Sequence, residues 1–156
     1  KKKNNKKLRF SQNYKKNITI EKQYKLHNFS SYKKFSFNVQ KSKKNFISLL
    51  NNLKKDQRKI IGYGASAKAV TVLNYCNLKE DYFDFFYDTT KQKIGKFLPG
   101  TKIKVKEYKQ LKDNKIYVFL GAWNFAKEIL EKEKFFLNNS GKFITHVPFP
   151  RILKKN

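Results

Sequence analysis

The chain has no methionine, one cysteine, two histidines and only eleven acidic residues among 156. Each scarcity removes a class of reading. A lone thiol, Cys76, forms neither an internal disulfide nor a thiolate cluster, and such sparing cysteine use suits a reducing cytoplasm. His27 and His146 each stand without a partner at metal-ligand spacing, so neither points to a metal. Lysine or another polar residue interrupts every hydrophobic stretch, and no run reaches signal-peptide or membrane-spanning length. A soluble protein with no membrane partner is expected. A chain without methionine displays no initiator, and this one opens on Lys1, Lys2 and Lys3. It reads as part of a longer polypeptide.

What is abundant is lysine and phenylalanine. Fifteen Phe and nine Tyr supply apolar mass, so the low mean hydropathy of −0.77 reflects lysine rather than disorder. A chain of this length forms one domain and buries roughly 70% of its unfolded surface. The net charge of +26 raises nucleic acid as a partner. Lys and Arg are nevertheless spread along the whole chain, many beside Asn, as when a compositional bias fills solvated positions. Non-specific nucleic-acid contact at low salt is the expectation.

The charge changes where the folding pattern changes. Residues 1–58 hold 18 Lys plus Arg against two acids, and residues 59–156 hold 19 against nine. Three segments follow: a basic linker over 1–10, a helical extension over 11–58 that packs on the domain, and an α/β domain over 59–156. In the extension, Tyr32, Phe35, Val39, Ser42, Phe46, Leu49 and Leu53 step by three and four, one stripe of a helix, with Ser30 or Ser31 as N-cap. A shorter helix is predicted from Asn13 to Leu26. Beyond residue 58, β-rich runs alternate with helical segments, the signature of a parallel sheet with crossover helices. Strands are predicted over Lys59–Tyr63, Tyr82–Tyr87, Lys102–Val105, Lys115–Leu120 and Lys142–Val147. The helices between them are Ser66–Tyr75, Glu107–Leu111 and Trp123–Phe136, the last turning Phe125, Ile129 and Phe136 to the sheet and ending at Asn139-Ser140-Gly141.

The most informative segment runs from Lys59 through Gly62-Tyr63-Gly64-Ala65-Ser66-Ala67-Lys68, a strand entering a G-x-G-x-x-A turn and then a helix. Gly62 permits a tight turn at positive φ, Gly64 lets backbone approach a phosphate, and Ala67 keeps the helix near the sheet. Ser66 adds a hydroxyl and Lys68 a charge to this cradle. A bare strand-to-helix turn also favours glycine. Asp88 ends the next apolar strand 24 residues after Gly64, close to the spacing of about 20 at which dinucleotide-binding folds place a ribose-binding acid. It equally suits a solvated turn or a cap for Thr89-Thr90.

Downstream, Lys91, Lys93 and Lys96 precede the turn Phe97-Leu98-Pro99-Gly100-Thr101. Beside the glycine turn these lysines would neutralise a diphosphate; otherwise they form a solvated basic loop. Trp123 and Asn124 follow strand four, where a ring and an amide read a base or sugar, or where Trp123 simply packs. Cys76 closes an apolar helix with no nearby His and is assigned to packing.

The run Gly62 to Lys68, then Leu73-Asn74-Tyr75-Cys76 and Asp88, resembles the C-terminal domain of the sugar C-methyltransferases. Lys91-Gln92-Lys93-Ile94-Gly95-Lys96-Phe97-Leu98-Pro99-Gly100-Thr101-Lys102-Ile103 resembles that family's K-Q-G-K-x-x-P-G-T-x-I segment, departing at Lys93 and Ile94. Ala122-Trp123-Asn124 follows. Gly141-Lys142-Phe143-Ile144 through Pro148-Phe149-Pro150-Arg151 resembles its G-G-K-F-I and P-x-P-R pattern, with Ser140 in place of the first glycine. The resemblance spans about residues 30 to 153.

It implies a Rossmann-like domain that covers a nucleotide-sugar substrate in a three-part enzyme. The upstream part would be an S-adenosylmethionine-binding domain carrying the catalytic residues, preceded by a zinc-binding module. This chain is then expected to hold no catalytic residue and no cofactor, and to be inactive alone. Its substrate-binding residues would be Gly62, Tyr63, Gly64, Ala65, Ser66, Lys68, Asp88, Lys96, Trp123 and Asn124. Two rival readings are a basic nucleic-acid module built on residues 1–58 with Phe10, Tyr14 and Tyr24 as stacking groups, and an NAD-binding oxidoreductase domain.

Overall fold

A computed structural model describes residues 11–154, so the basic segment 1–10 lies outside the described residues. In chain order the elements are α1 (Gln12–Gln23), α2 (Phe29–Lys55), β1 (Ile60–Tyr63), α3 (Ala67–Cys76), β2 (Phe86–Asp88), β3 (Val105–Glu107), β4 (Tyr117–Leu120), α4 (Ala126–Lys132), α5 (Lys134–Asn138), β5 (Lys142–Thr145) and β6 (Arg151–Leu153). Short 3-10 turns occupy Lys91–Lys93 and Trp123–Phe125. The chain divides into two compact units, one ending at Gln40 and the other beginning at Lys41, so the division falls inside α2.

In the first unit, α1 starts where the Ser11 hydroxyl accepts the Tyr14 N–H at 3.2 Å, and none of its residues is buried. The N-terminal part of α2 is equally open, with Tyr32 and Phe35 exposed. The predicted stripe therefore buries only its later members. Phe46, Leu50 and Leu53 are covered, whereas Leu49, expected on the stripe, is half-buried. Neither Ser30 nor Ser31 caps this helix, which begins at Phe29; the Ser31 hydroxyl instead donates to the Lys25 carbonyl at 2.8 Å.

The second unit is built on a six-stranded sheet in the order β3-β2-β1-β4-β5-β6. The first five strands are parallel to their neighbours, and β6 runs antiparallel to β5. Residues of each strand alternate between two apolar layers. Ile60, Phe86 and Phe119 pack with Phe46, Leu50, Ala69 and Leu73 on one side. Ile61, Tyr63, Val118 and Leu120 pack with Ile129, Phe136 and Phe143 on the other. The Phe-rich composition thus becomes two covered faces of one mixed α/β sheet.

Helix ends follow local chemistry. After α3, Asn77 turns left-handed at φ 53°, and the N–H of Leu78 reaches the Leu73 carbonyl at 2.8 Å, with both leucines buried against the core. After α5, Ser140 takes the left-handed position at φ 65°, and Gly141 packs against Phe136.

Several expectations need correction. Six strands form among the described residues where five were predicted; β6 is three residues long and follows Pro150 directly, too short to show an alternating pattern. The predicted helix Glu107–Leu111 is absent. Glu107 belongs to β3, paired with Asp88 of β2, because ladder bonds prevail over a segment too short to nucleate a helix. The predicted strand Lys102–Val105 accordingly shifts to Val105–Glu107. Trp123–Phe136 is broken at Glu133, whose side chain turns into the core, and Phe125 is exposed rather than packed on the sheet.

Candidate functional site

β1 and β4 lie side by side in the sheet although they are not consecutive in sequence, so the connections from their carboxyl ends diverge. Open α/β sheets bind ligands at such a crossing. The segments found there are Gly64–Ser66 after β1 and Gly121–Asn124 after β4.

The glycine turn is held tightly from within. Gly62 lies inside β1, not at positive φ as its motif position suggested, and a Cβ there would run into the Phe86 ring. Gly64 is the residue that requires glycine: its φ is 86°, and a Cβ would sit 2.6 Å from that of Ala122. Ser66 is the N-cap of α3, accepting the Ala69 N–H at 3.2 Å while its hydroxyl donates to the Gly121 carbonyl at 2.7 Å. Its oxygen fastens the β1 and β4 connections together. Tyr63 faces the opposite layer, where its hydroxyl donates to Glu133 at 3.1 Å.

Asp88 sits at the end of β2 beside this turn, but its carboxylate is engaged. One oxygen accepts the Ala65 N–H at 2.8 Å and the Lys93 ammonium at 3.1 Å; the other accepts the Thr90 N–H at 2.8 Å. Burial alone would raise its pKa. The hydrogen bonds from Thr90 and the charge of Lys93 outweigh that burial and hold the carboxyl below its ordinary range. Asp88 is the peg that fixes the glycine turn to the loop after β2.

Beside that peg opens a cleft of about 480 Å³, within the size range of small-molecule sites. Ala65, Ala67 and Thr71 line it from the glycine turn and α3, and Lys93, Lys96 and Phe97 line it from the loop after β2. That loop is held by hydrogen bonds. The N–H of Gly95 bonds the Val105 carbonyl at 2.9 Å, the N–H of Val105 bonds the Lys96 carbonyl at 2.8 Å, and Leu98 and Ile103 are joined at 2.9 Å. Asn74 of α3 donates to the Pro99 carbonyl at 3.0 Å, fixing the turn to the helix.

The predicted residues therefore separate. Ala65 and Lys96 line the cleft, and Gly62, Gly64, Ser66 and Asp88 build its frame. Lys68 is exposed on the first turn of α3 and is not among the cleft-lining residues. Trp123 is half-buried and Asn124 exposed on the 3-10 turn after β4, likewise outside the cleft lining. Phe97, which the sequence did not single out, also lines the cleft, exposed beside the buried Leu98. Among the described residues, no cluster of three or more His, Cys, Asp or Glu could hold a metal ion. No helix among them is long and apolar enough to cross a membrane.

The fold is thus a mixed α/β sheet with a cleft that Lys93 and Lys96 line near the carboxyl edge of β1. The family description "C-methyltransferase C-terminal domain" matches residues 1–148, and the chain belongs to that family. It is similar to the C-methyltransferase NovU of Streptomyces niveus, with 35% identity over 123 residues. That alignment covers 78% of this chain and 29% of the relative, so the chain spans under a third of that protein's length.

Proposed function

We propose that this chain is the substrate-binding domain of an S-adenosylmethionine-dependent methyltransferase acting on a carbon of a nucleotide-linked sugar. The observation that carries the reading is a cleft lined by Lys93 and Lys96 together with Ala65 of the glycine turn, in a chain of the C-methyltransferase family. A diphosphate between base and sugar is the ligand feature such a basic wall favours. Gly62, Gly64, Ser66 and Asp88 would act as its frame, and Lys68, Trp123 and Asn124 would meet parts of the substrate reaching beyond the cleft.

The sulfonium of S-adenosylmethionine carries a positive charge that Lys93 and Lys96, which line the cleft, would repel. On that ground we assign the methyl donor to a separate domain of the same polypeptide, which is also this chain's proposed partner. A base beside the sugar ketone and the positioned sulfonium would come from that domain. Alone, the present chain is expected to transfer no methyl group. A zinc module, if part of the whole enzyme, would draw on residues outside those described. A reducing cytoplasm is the setting proposed for the enzyme.

Isothermal titration tests the division of labour. Saturable binding of a nucleoside diphosphate sugar with no heat from S-adenosylmethionine is expected. Tight S-adenosylmethionine binding by residues 1–156 would place the donor here and reverse the assignment.

A further inference from the structure

In α1 no residue is buried, and in α2 burial begins only at Phe46. Ahead of it Tyr24, Leu26, Phe29, Tyr32, Phe35 and Phe37 all stand exposed. The stripe that carries Phe46, Leu50 and Leu53 into the core runs back through Val39, Phe35 and Tyr32 at helical spacing, so the exposed half of α2 bears the pattern of a face meant for burial. Phe37 adds a second side. It lies two residues from Phe35, about 200° around a helix of 3.6 residues per turn, and the two rings are 66% and 67% exposed. A helix that is apolar on opposite sides is one that protein encloses, since a flat lipid surface reaches only one side of it.

Resting on the substrate-domain reading, we infer that α1 and residues 29–40 of α2 are enclosed by the neighbouring domain of the same polypeptide, the one to which the methyl donor is assigned. Residues 12–40 carry six Lys and a single acid, Glu21, so a second copy laid on the same face would set like charges together. The occupant is therefore a different body, with an apolar hollow for Phe29, Tyr32, Phe35 and Phe37 and carboxylates at its rim for Lys33 and Lys34. The family match begins at residue 1 and takes in both helices, which makes them part of the family's domain. Most of the length of the relative lies beyond the matched part, enough chain to form such a body. Phe46, Leu50 and Leu53 of the same helix belong to the core of the substrate domain, so one helix ties the two domains together.

The test is hydrogen–deuterium exchange, read by mass spectrometry, on residues 1–156 and on the whole polypeptide that contains them. Residues 12–40 should exchange quickly in the chain alone and be protected in the whole polypeptide. Phe35→Asp and Phe37→Asp, on opposite sides of α2, should each abolish that protection and speed proteolysis between the domains. Both rings are exposed in the chain alone, so neither substitution should move its urea midpoint. Phe135→Asp, at an exposed ring of α5, should leave the protection in place.

Equal exchange of residues 12–40 in the two proteins overturns the inference. So does protection that appears in the chain alone together with a dimer mass in light scattering, which assigns the surface to a second copy. Binding of residues 1–156 to phosphatidylserine vesicles that Phe35→Asp abolishes and Phe37→Asp spares makes one side of the helix a membrane face and also removes the enclosure. Calorimetry on the whole polypeptide scores the substrate-domain reading separately. Binding of S-adenosylmethionine with residues 12–40 unprotected keeps that reading and removes the enclosure. Protected helices in a polypeptide that binds no S-adenosylmethionine keep the enclosure and remove the donor assignment.

Discussion

The Tyr108 hydroxyl donates to the Glu133 carboxylate at 2.6 Å, and the Tyr63 hydroxyl donates to the same oxygen at 3.1 Å. Three parts of the chain meet at that atom: the end of β1, the segment after β3, and the joint between α4 and α5. Glu133 is 2% exposed, and the Lys132 ammonium lies 3.6 Å above the Tyr108 ring. A carboxylate so deeply buried is tolerable because two phenols and a nearby cation replace its water.

This network should be readable in alkaline titration. Burial first, then the Glu133 carboxylate, push Tyr108 up to about 12 and Tyr63 higher still from the ordinary 10.0. A phenol whose folded pKa is raised contributes stability that is present below pH 10 and lost as pH climbs toward the folded value. Ultraviolet absorbance of the phenolate should show late ionisation coincident with unfolding, and Tyr108→Phe should remove part of that late step. The same substitution should cost about 1–3 kcal/mol at neutral pH in urea unfolding, because Glu133 stays buried with a donor missing. Unchanged stability and an unchanged late phase would contradict the network.

Gly64 yields a prediction about the fold rather than the ligand. With φ at 86° and the Ala122 Cβ only 2.6 Å from where a Gly64 Cβ would sit, Gly64→Val strains the backbone and forces the β1 and β4 connections apart. A loss of about 2–4 kcal/mol is expected, from strain at a left-handed position combined with overpacking. Ala122→Gly should recover part of it by relieving the clash and none of the backbone strain. A Gly64→Val protein of native stability would show that this turn is not held as described.

The sheet was legible in the sequence because its strands are short Phe- and Ile-rich runs separated by glycine and asparagine, and because the G-x-G-x-x-A turn announces a strand entering a helix. The site was only half legible. Asp88 stood out by spacing, but spacing reports where an acid lies and not what it bonds, and its oxygens are spent on Ala65, Thr90 and Lys93. In sequence Glu133 is one more charge in a segment of alternating Lys and Glu; its hydrogen-bond partners in the core, Tyr63 and Tyr108, lie 70 and 25 residues away. Phe97 was lost among fifteen phenylalanines, where composition cannot distinguish the exposed ring from the buried ones.

His146 should make stability depend on pH between neutrality and mild acid. Its ring packs between Phe46 and Phe119, centroids 6.0 and 5.6 Å away, and its Nδ1 is buried without a hydrogen-bond partner. Burial lowers its pKa below the usual 6.5. As pH falls under that value, the unfolded chain binds a proton that the folded chain refuses, so stability declines. His146→Leu should flatten the urea midpoint between about pH 7 and pH 5, within the range where histidine ordinarily titrates. The contribution of Asp88, whose folded pKa is depressed below 3.8, is lost only at lower pH and should remain in that variant. An unaltered slope would assign the dependence to other groups.

The excess of lysine makes a prediction of its own, because binding to a phosphate backbone releases counterions and weakens steeply as salt rises. Lysines distributed over the chain attract polyanions without forming a groove that follows one strand. Fluorescence anisotropy with short DNA and RNA should show loose, sequence-independent binding at low salt that disappears near physiological ionic strength, where the Debye length is about 8 Å. Deleting residues 1–10, which carry six Lys plus Arg, should weaken it further. Tight binding to one nucleic-acid sequence at physiological salt, unaffected by Lys96→Ala, would make the basic N-terminal part the functional surface and displace the methyltransferase substrate domain as the reading of this chain.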